Sequence, residues 1–246
     1  MDKSNFATSE EYSTVLVLPA RIRRENIGDD IIRFTGDVVK RIKINEDPFE
    51  FASIREYQPY DPMNHINWKA TAKSDLLHVN TFNSTNRKNV VILLNLDMNL
   101  IRNAEELGEW SIRIASCLAD RFIGEQIPTA LYTNGTDYET KEEIGVDAGC
   151  DDGHVRNIDM ALARVQLEEI GSSFVDLIEK HIDREADNDY IFISNYRKND
   201  FVDKFYDLKR EGIRVSLIIP DFDYADITPF SENGNDTFKW VINYEK

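Results

Sequence analysis

The run Val90-Val91-Ile92-Leu93-Leu94-Asn95-Leu96 is apolar at every position but Asn95, and no alternation of polar and apolar residues interrupts it. Such a run fits a strand covered on both faces, the condition of a central strand in a parallel sheet. Downstream, a helix is expected from about Ala104 to Gly124, because Leu107, Trp110, Ile114, Cys117 and Leu118 recur at spacings of three and four and Gly124 is placed to end it. Residues 127–132 read as the next strand, and residues 134–153 as a polar, glycine-containing stretch with room for a short hairpin. Helical periodicity returns at Ile158, Leu162 and Val165, then at Phe174, Leu177, Ile178, His181 and Ile182. Gly171-Ser172-Ser173 is expected to end one helix and cap the next. A strand over 190–194, a helix carrying Phe201, Val202, Phe205 and Leu208, a strand over 213–219 closed by Pro220, and a last strand over 238–244 complete the pattern. Parallel neighbours need crossover connections, so this alternation predicts an α/β fold: a doubly wound, mostly parallel sheet with helices on both faces.

Upstream of Val90 the texture differs. Runs at 13–19, 31–34, 38–44, 49–57 and 76–82 are short, β-branched or aromatic, and separated by Gly, Asp, Pro and Asn, which reads as strands. The expected organisation is a β-rich unit over residues 1–86 followed by the sheet domain over 87–246. Near the end of the first unit, Arg55-Glu56-Tyr57-Gln58-Pro59-Tyr60-Asp61-Pro62 leads into Ile66-Asn67-Trp68-Lys69. Pro59 and Pro62 fix φ and remove donors, forcing a loop between the strand ending at Tyr57 and a helical turn around Trp68. Trp68 is expected to pack this loop down, and Arg55, Glu56 and Asp61 to shape it as an ion-pair network. The competing reading makes its aromatics and lysines a protein contact.

Composition narrows the function classes. Against 45 acidic residues stand 29 basic ones, and the net charge of -16 repels a phosphate backbone and an anionic membrane face alike. Only two cysteines, Cys117 and Cys150, are present, so no disulfide framework or cysteine zinc site is implied and a reducing, cytoplasmic compartment fits. No apolar run approaches the roughly 20 residues that cross a bilayer. There is no Gly-x-x-x-x-Gly-Lys-Ser/Thr loop and no Gly-x-Ser-x-Gly elbow, while His65, His78, His154 and His181 fall at no metal-ligand spacing. Nothing here commits the chain to catalysis, and a non-enzymatic role is expected.

In an open parallel sheet the ligand site lies beyond the carboxyl ends of the strands. Asp97 follows the first strand, Thr133 and Asn134 the second, Ser194 and Asn195 the third, and Asp221 and Asp223 the fourth. Asp97-Met98-Asn99 and Ser194-Asn195 offer the oxygen ligands that Mg²⁺ or Ca²⁺ prefers, but one carboxylate among neutral oxygens holds such an ion weakly. A remoter alternative pairs Asp97 and Asp221, on adjacent loops, as the acids of a hydrolase.

Arg55, Glu56, Tyr57, Pro59, Asp61, Ile66, Trp68 and Lys69, with Ala72 and Lys73, resemble the signature of family 58 among the domains of unknown function: Arg-Glu-Tyr-x-Pro-Gly-Asp-Asp followed by Ile-Asp-Trp-Lys-x-x-Ala-Arg. Tyr60, Pro62, Asn67 and Lys73 depart from it. The resemblance implies a von Willebrand factor A-like domain running to about Pro220. It also implies a degraded metal-ion-dependent adhesion site, with Asp97 at its aspartate, Asn99 and Ile101 in place of its serines and Asn195 in place of its late aspartate. It further implies no cofactor beyond weak Mg²⁺ or Ca²⁺, and an adaptor role beside a MoxR-type AAA+ ATPase. Family members are often anchored by preceding helices, which would put a longer parent protein at the inner face of a membrane.

Overall fold

The computed structural model describes residues 16–45, 51–58, 63, 66–74, 76–82, 88–98, 103–222 and 236–242. Among the described residues the elements in chain order are α1 (Asp29–Asn45), β1 (Phe51–Glu56), α2 (Trp68–Thr71), β2 (His78–Phe82), β3 (Val90–Leu94), α3 (Ala104–Gly124), β4 (Thr129–Asp137), β5 (Glu143–Gly149), α4 (His154–Leu162), β6 (Val165–Ile170), α5 (Phe174–His181), β7 (Asp189–Ile193), α6 (Asn199–Arg210), β8 (Arg214–Asp221) and β9 (Thr237–Val241), with a short 3₁₀ helix at Arg24–Asn26.

β3 is central. The seven-stranded sheet runs β5-β4-β3-β7-β8-β9, with β6 paired to β4, and the β3–β4, β3–β7, β7–β8 and β8–β9 pairs are parallel. Every residue of β3 is buried, and its side chains alternate between two cores. Val90, Ile92 and Leu94 meet Phe34, Val38 and Ile42 of α1 and Ile114, Leu118 and Phe122 of α3. Val91 and Leu93 meet Phe174, Leu177 and Ile178 of α5 and Phe201, Phe205 and Leu208 of α6. The chain is thus a mixed α/β structure whose mostly parallel sheet is flanked by helices on both faces. Each fully buried side chain of this size stabilises the fold by about 1.5–3 kcal/mol.

The polar stretch after β4 is an antiparallel hairpin, β4–β5. β4 outlasts β3, and β6 takes the side of β4 that β3 leaves vacant past Thr133, pairing at Gly135, Thr136 and Asp137. Val165 therefore opens a strand instead of continuing α4, whereas Ser173 caps α5 as expected, its Oγ accepting from the Asp176 N–H at 3.1 Å. α6 stops at a left-handed Gly212, with Gly212 N–H donating to Lys209 O and Ile213 N–H to Leu208 O.

The largest correction lies before β1. The strands expected at 31–34 and 38–44 are one helix, α1, and residues 16–19 of the expected first strand form no strand. Ile31, Phe34, Val38, Val39 and Ile42 recur at a helical period and bury one face against the sheet's core, so α1 packs with the sheet although it lies before residue 86. Gly36, which looks like a turn in isolation, sits on this helix with open space where a Cβ would be. Of the β-rich reading of residues 1–86, the antiparallel pair β1–β2 remains, with Ile66 bridged to Val79.

Candidate functional site

The parallel strands end along one edge, where Leu94 lies in register with Thr133 of β4 and Ile193 of β7. Asn95, Asn134 and Ser194 follow side by side, and all three are buried. A buried amide must find partners, and these find one another. Asn95 Nδ2 donates to Ser194 Oγ at 2.9 Å, and Asn95 Oδ1 accepts from Asn134 Nδ2 at 2.9 Å and from the Asp97 N–H at 3.0 Å. Asn134 Oδ1 accepts from the Leu96 N–H at 2.8 Å, and Ser194 Oγ from the Tyr196 N–H at 3.0 Å. Thr133 Oγ1 is turned back on the Gly135 N–H at 3.1 Å. Three strand ends are thereby laced by neutral groups. Asn95 stood in the sequence only as the odd residue of an apolar run; a lone amide near the end of a central strand is itself the signal of such a network.

Asp97 and Asn195 emerge beyond this layer from neighbouring strands, both half-buried. Asn195 Nδ2 donates to Pro220 O at 2.8 Å, and Arg197 pairs with Asp221 at 3.0 Å. Lys198 lies with its ammonium 4.9 Å from the Tyr196 ring centroid. Its hydrogen bond to Tyr196 and that group's charge, then the Asp97 and Asp200 carboxylates, hold it above the usual lysine range. Asp97 and Asp221 are not on adjacent loops, because β7 separates β3 from β8. Asn99, Ile101 and Asp223 lie outside the described residues.

These residues fit a divalent cation poorly. Both acceptor positions of Asn95 Oδ1 are taken, Asp221 is taken by Arg197, and a lysine already stands near Asp97. Among the described residues no group of three or more His, Cys, Asp or Glu side chains converges. The histidines have other partners: His154 Nε2 lies 2.8 Å from Thr129 O, and His181 stacks on Tyr132 with centroids 3.7 Å apart. Burial, then the charge of Lys180, holds His181 below its ordinary value. His78 Nδ1 lies 2.8 Å from Leu76 O, and His65 is outside the described residues. Burial pushes the Cys117 thiol up to about 11, away from nucleophile chemistry.

A cleft of about 1130 Å³ opens elsewhere, between α1, the start of β8, and β9. Arg41, Lys209, Arg214 and Asp236 are among the residues that line it, and these four are paired with one another or with buried Asp189: Lys209 pairs with Asp236 at 2.6 Å, and Arg41 and Arg214 with Asp189.

In the signature stretch, Arg55 and Glu56 end β1, Arg55 donates to the Glu56 carbonyl at 3.0 Å, and the Tyr57 N–H donates to Leu77 O at 2.9 Å. Pro59 and Asp61, and with Asp61 the expected ion-pair network, lie outside the described residues. Ile66 takes the buried place beside Val79, and Asn67 caps α2 by accepting from the Ala70 N–H at 2.8 Å. Trp68, expected to pack the loop down, is 65% exposed, with Lys69 exposed beside it, and residues 59–62 of that loop lie outside the described residues.

No family model matches the chain. No curated protein matches it either. Among solved structures, two of proximal thread matrix protein 1 from the mussel byssus align with TM-scores of 0.42 and 0.41 at 10% and 9% identity. The alignments cover 63% and 62% of this chain, which spans 43% of the length of each of theirs.

Proposed function

We propose that this chain is a non-enzymatic protein-interaction or adaptor module. In this reading it is a von Willebrand factor A-like domain of the kind found in family 58 of the domains of unknown function. It presents the carboxyl edge of its sheet to a protein partner such as a MoxR-type AAA+ ATPase. One observation carries the reading: Asn95, Asn134 and Ser194 lock three strand ends together with bonds that leave no acceptor on Asn95 for an ion. An edge held rigid in this way presents Asp97, Asn195 and Lys198 at little ordering cost, which favours recognition of a polypeptide.

The test is binding of the purified chain to a purified MoxR-type ATPase in each nucleotide state, followed by calorimetry. Asp97→Lys and Asn195→Lys are expected to weaken the complex about tenfold or more, as central contacts do. No complex in any nucleotide state would remove this partner class. A companion thermal melt compares excess Ca²⁺ with a chelator, because an ion bound only by the folded state raises the midpoint. No shift is expected; a rise that disappears in Asp97→Ala would turn the reading toward a metal-dependent binder.

A further inference from the structure

The run at 13–19 reads as a strand, yet its described residues join no sheet in their own chain. Leu16 and Leu18 are exposed, Val17 is 77% exposed, and among the described residues none of the three takes part in a hydrogen bond. The arm is fixed just behind them: Arg113 Nε donates to Ala20 O at 3.3 Å, and Arg21 reaches buried Asp159 at 2.9 Å. Three apolar residues with unspent backbone groups are one half of a strand pairing.

The other half lies at the side of the sheet. Among the described residues β5, β6 and β9 of the seven-stranded sheet pair on one side only. β5 carries Glu143 and Asp147, β6 carries Glu168 and Glu169, and both meet β4 in an irregular register. Charge and irregularity are what keep an edge from taking another strand. β9 carries no acid and pairs with β8 in unbroken register from Leu217↔Thr237 to Asp221↔Val241. Its one charge, on Lys239, sits on a stem long enough to keep the ammonium in water beside an added strand.

The cleft beside α1 follows that edge. Residues 236–241 line it without a gap. Neighbouring residues of a strand point to opposite faces, so a cleft that meets every one of them wraps the outer edge of β9. Ile31, Phe34 and Val38 of α1 give it an apolar wall, and the charged residues along it are four acids and five bases. An extended segment placed there gains main-chain bonds from β9 and a helix to pack on, while the near-balanced charge favours neither an acidic nor a basic one. The -16 body repels a second copy, but residues 13–20 carry no charge, so the arm adds nothing to that repulsion.

We infer that the outer edge of β9 takes the Leu16–Leu18 arm of a second copy as an added strand, so that two copies exchanging arms close a dimer. The contact lies at the side of the sheet, not at the carboxyl ends of its strands, and it stands whether or not those ends bind an ATPase. The test is sedimentation velocity of the whole chain over a concentration series, with hydrogen exchange measured on the same samples. A dimer is expected, with exchange over residues 237–241 slowing as it forms. The pair Leu16→Pro, Val17→Pro removes one N–H from each side of the arm at exposed positions, and is expected to weaken association about tenfold or more. A synthetic peptide of residues 13–19 is expected to return the wild-type dimer to monomer while β9 stays protected. Asp97→Lys is expected to leave association unchanged, so that failure of the strand-end reading registers separately. Circular dichroism confirms that each variant is folded. A chain that stays monomeric throughout, a dimer that either the proline pair or the peptide leaves intact, or association without protection of β9 would each overturn the proposal.

Discussion

Asn95 is where a single side chain decides most. Its buried amide holds the ends of β3, β4 and β7 together through two hydrogen bonds between strands, and a third, from the Asp97 N–H, ties down the end of β3 itself. Asn95→Ala strands Asn134 Nδ2, the Asp97 N–H and Ser194 Oγ in part, and an orphaned buried polar group costs about 1–3 kcal/mol. The expected destabilisation is about 2–4 kcal/mol, read as a lower urea midpoint with the slope unchanged. At this scale the sequence was half legible. Asp97, Asn134, Ser194 and Asn195 were placed at the strand ends by pattern alone, because strand ends follow from where apolar runs stop. Which of them faced inward was hidden, since burial beyond a strand end is set by the neighbouring strands.

Among the elements, α1 shows why local texture misleads. Gly36 and Asp37 split its apolar residues into two short runs that look like strands, and the helical period shows when the runs are joined, from Ile31 and Phe34 across the split to Val38 and Ile42. Glycine inside a helix is destabilising by roughly 0.5–1 kcal/mol relative to alanine. With open space at its Cβ position, Gly36→Ala is expected to raise stability by about that much. Gly212→Ala tests the opposite sign. Its φ of 82° at the end of α6 is left-handed, where a Cβ costs roughly 1–2 kcal/mol, so the melting midpoint should fall. The pair measured together separates a tolerated glycine from a required one. β6 is hard to read for a related reason: Val165 continues the spacing of α4, and only the unpaired flank of β4 recruits it into the sheet.

The molecule as a whole carries many acids, and several are held in their charged form. Burial raises Asp137, but the N–H groups of Glu139 and Thr140 and the Arg164 guanidinium outweigh it and hold the carboxyl below its ordinary value. Asp187 is likewise lowered by Lys88 and Arg214 against burial. A depressed folded-state value contributes stability above the unfolded value of about 4, and that contribution is lost as pH falls through the folded one. Urea midpoints should therefore drop steeply below about pH 4, and less steeply in Asp137→Asn. The layered sheet was readable from Val90 onward because alternating strands and helices leave few topologies open. How the first helix joins it was not, for part of its cover is the last strand: the Phe34 and Phe238 rings lie tilted with centroids 4.4 Å apart, and Trp240 and Ile242 share its core. During synthesis that places a delay between helix and partner. At about 5–20 residues per second, the roughly 200 residues between them take on the order of 10–40 s to appear, while α1 forms within microseconds. Until β9 leaves the ribosome, the part of α1 around Phe34 lacks its cover, which makes these residues the segment of the nascent chain on which a holding chaperone would have longest to act.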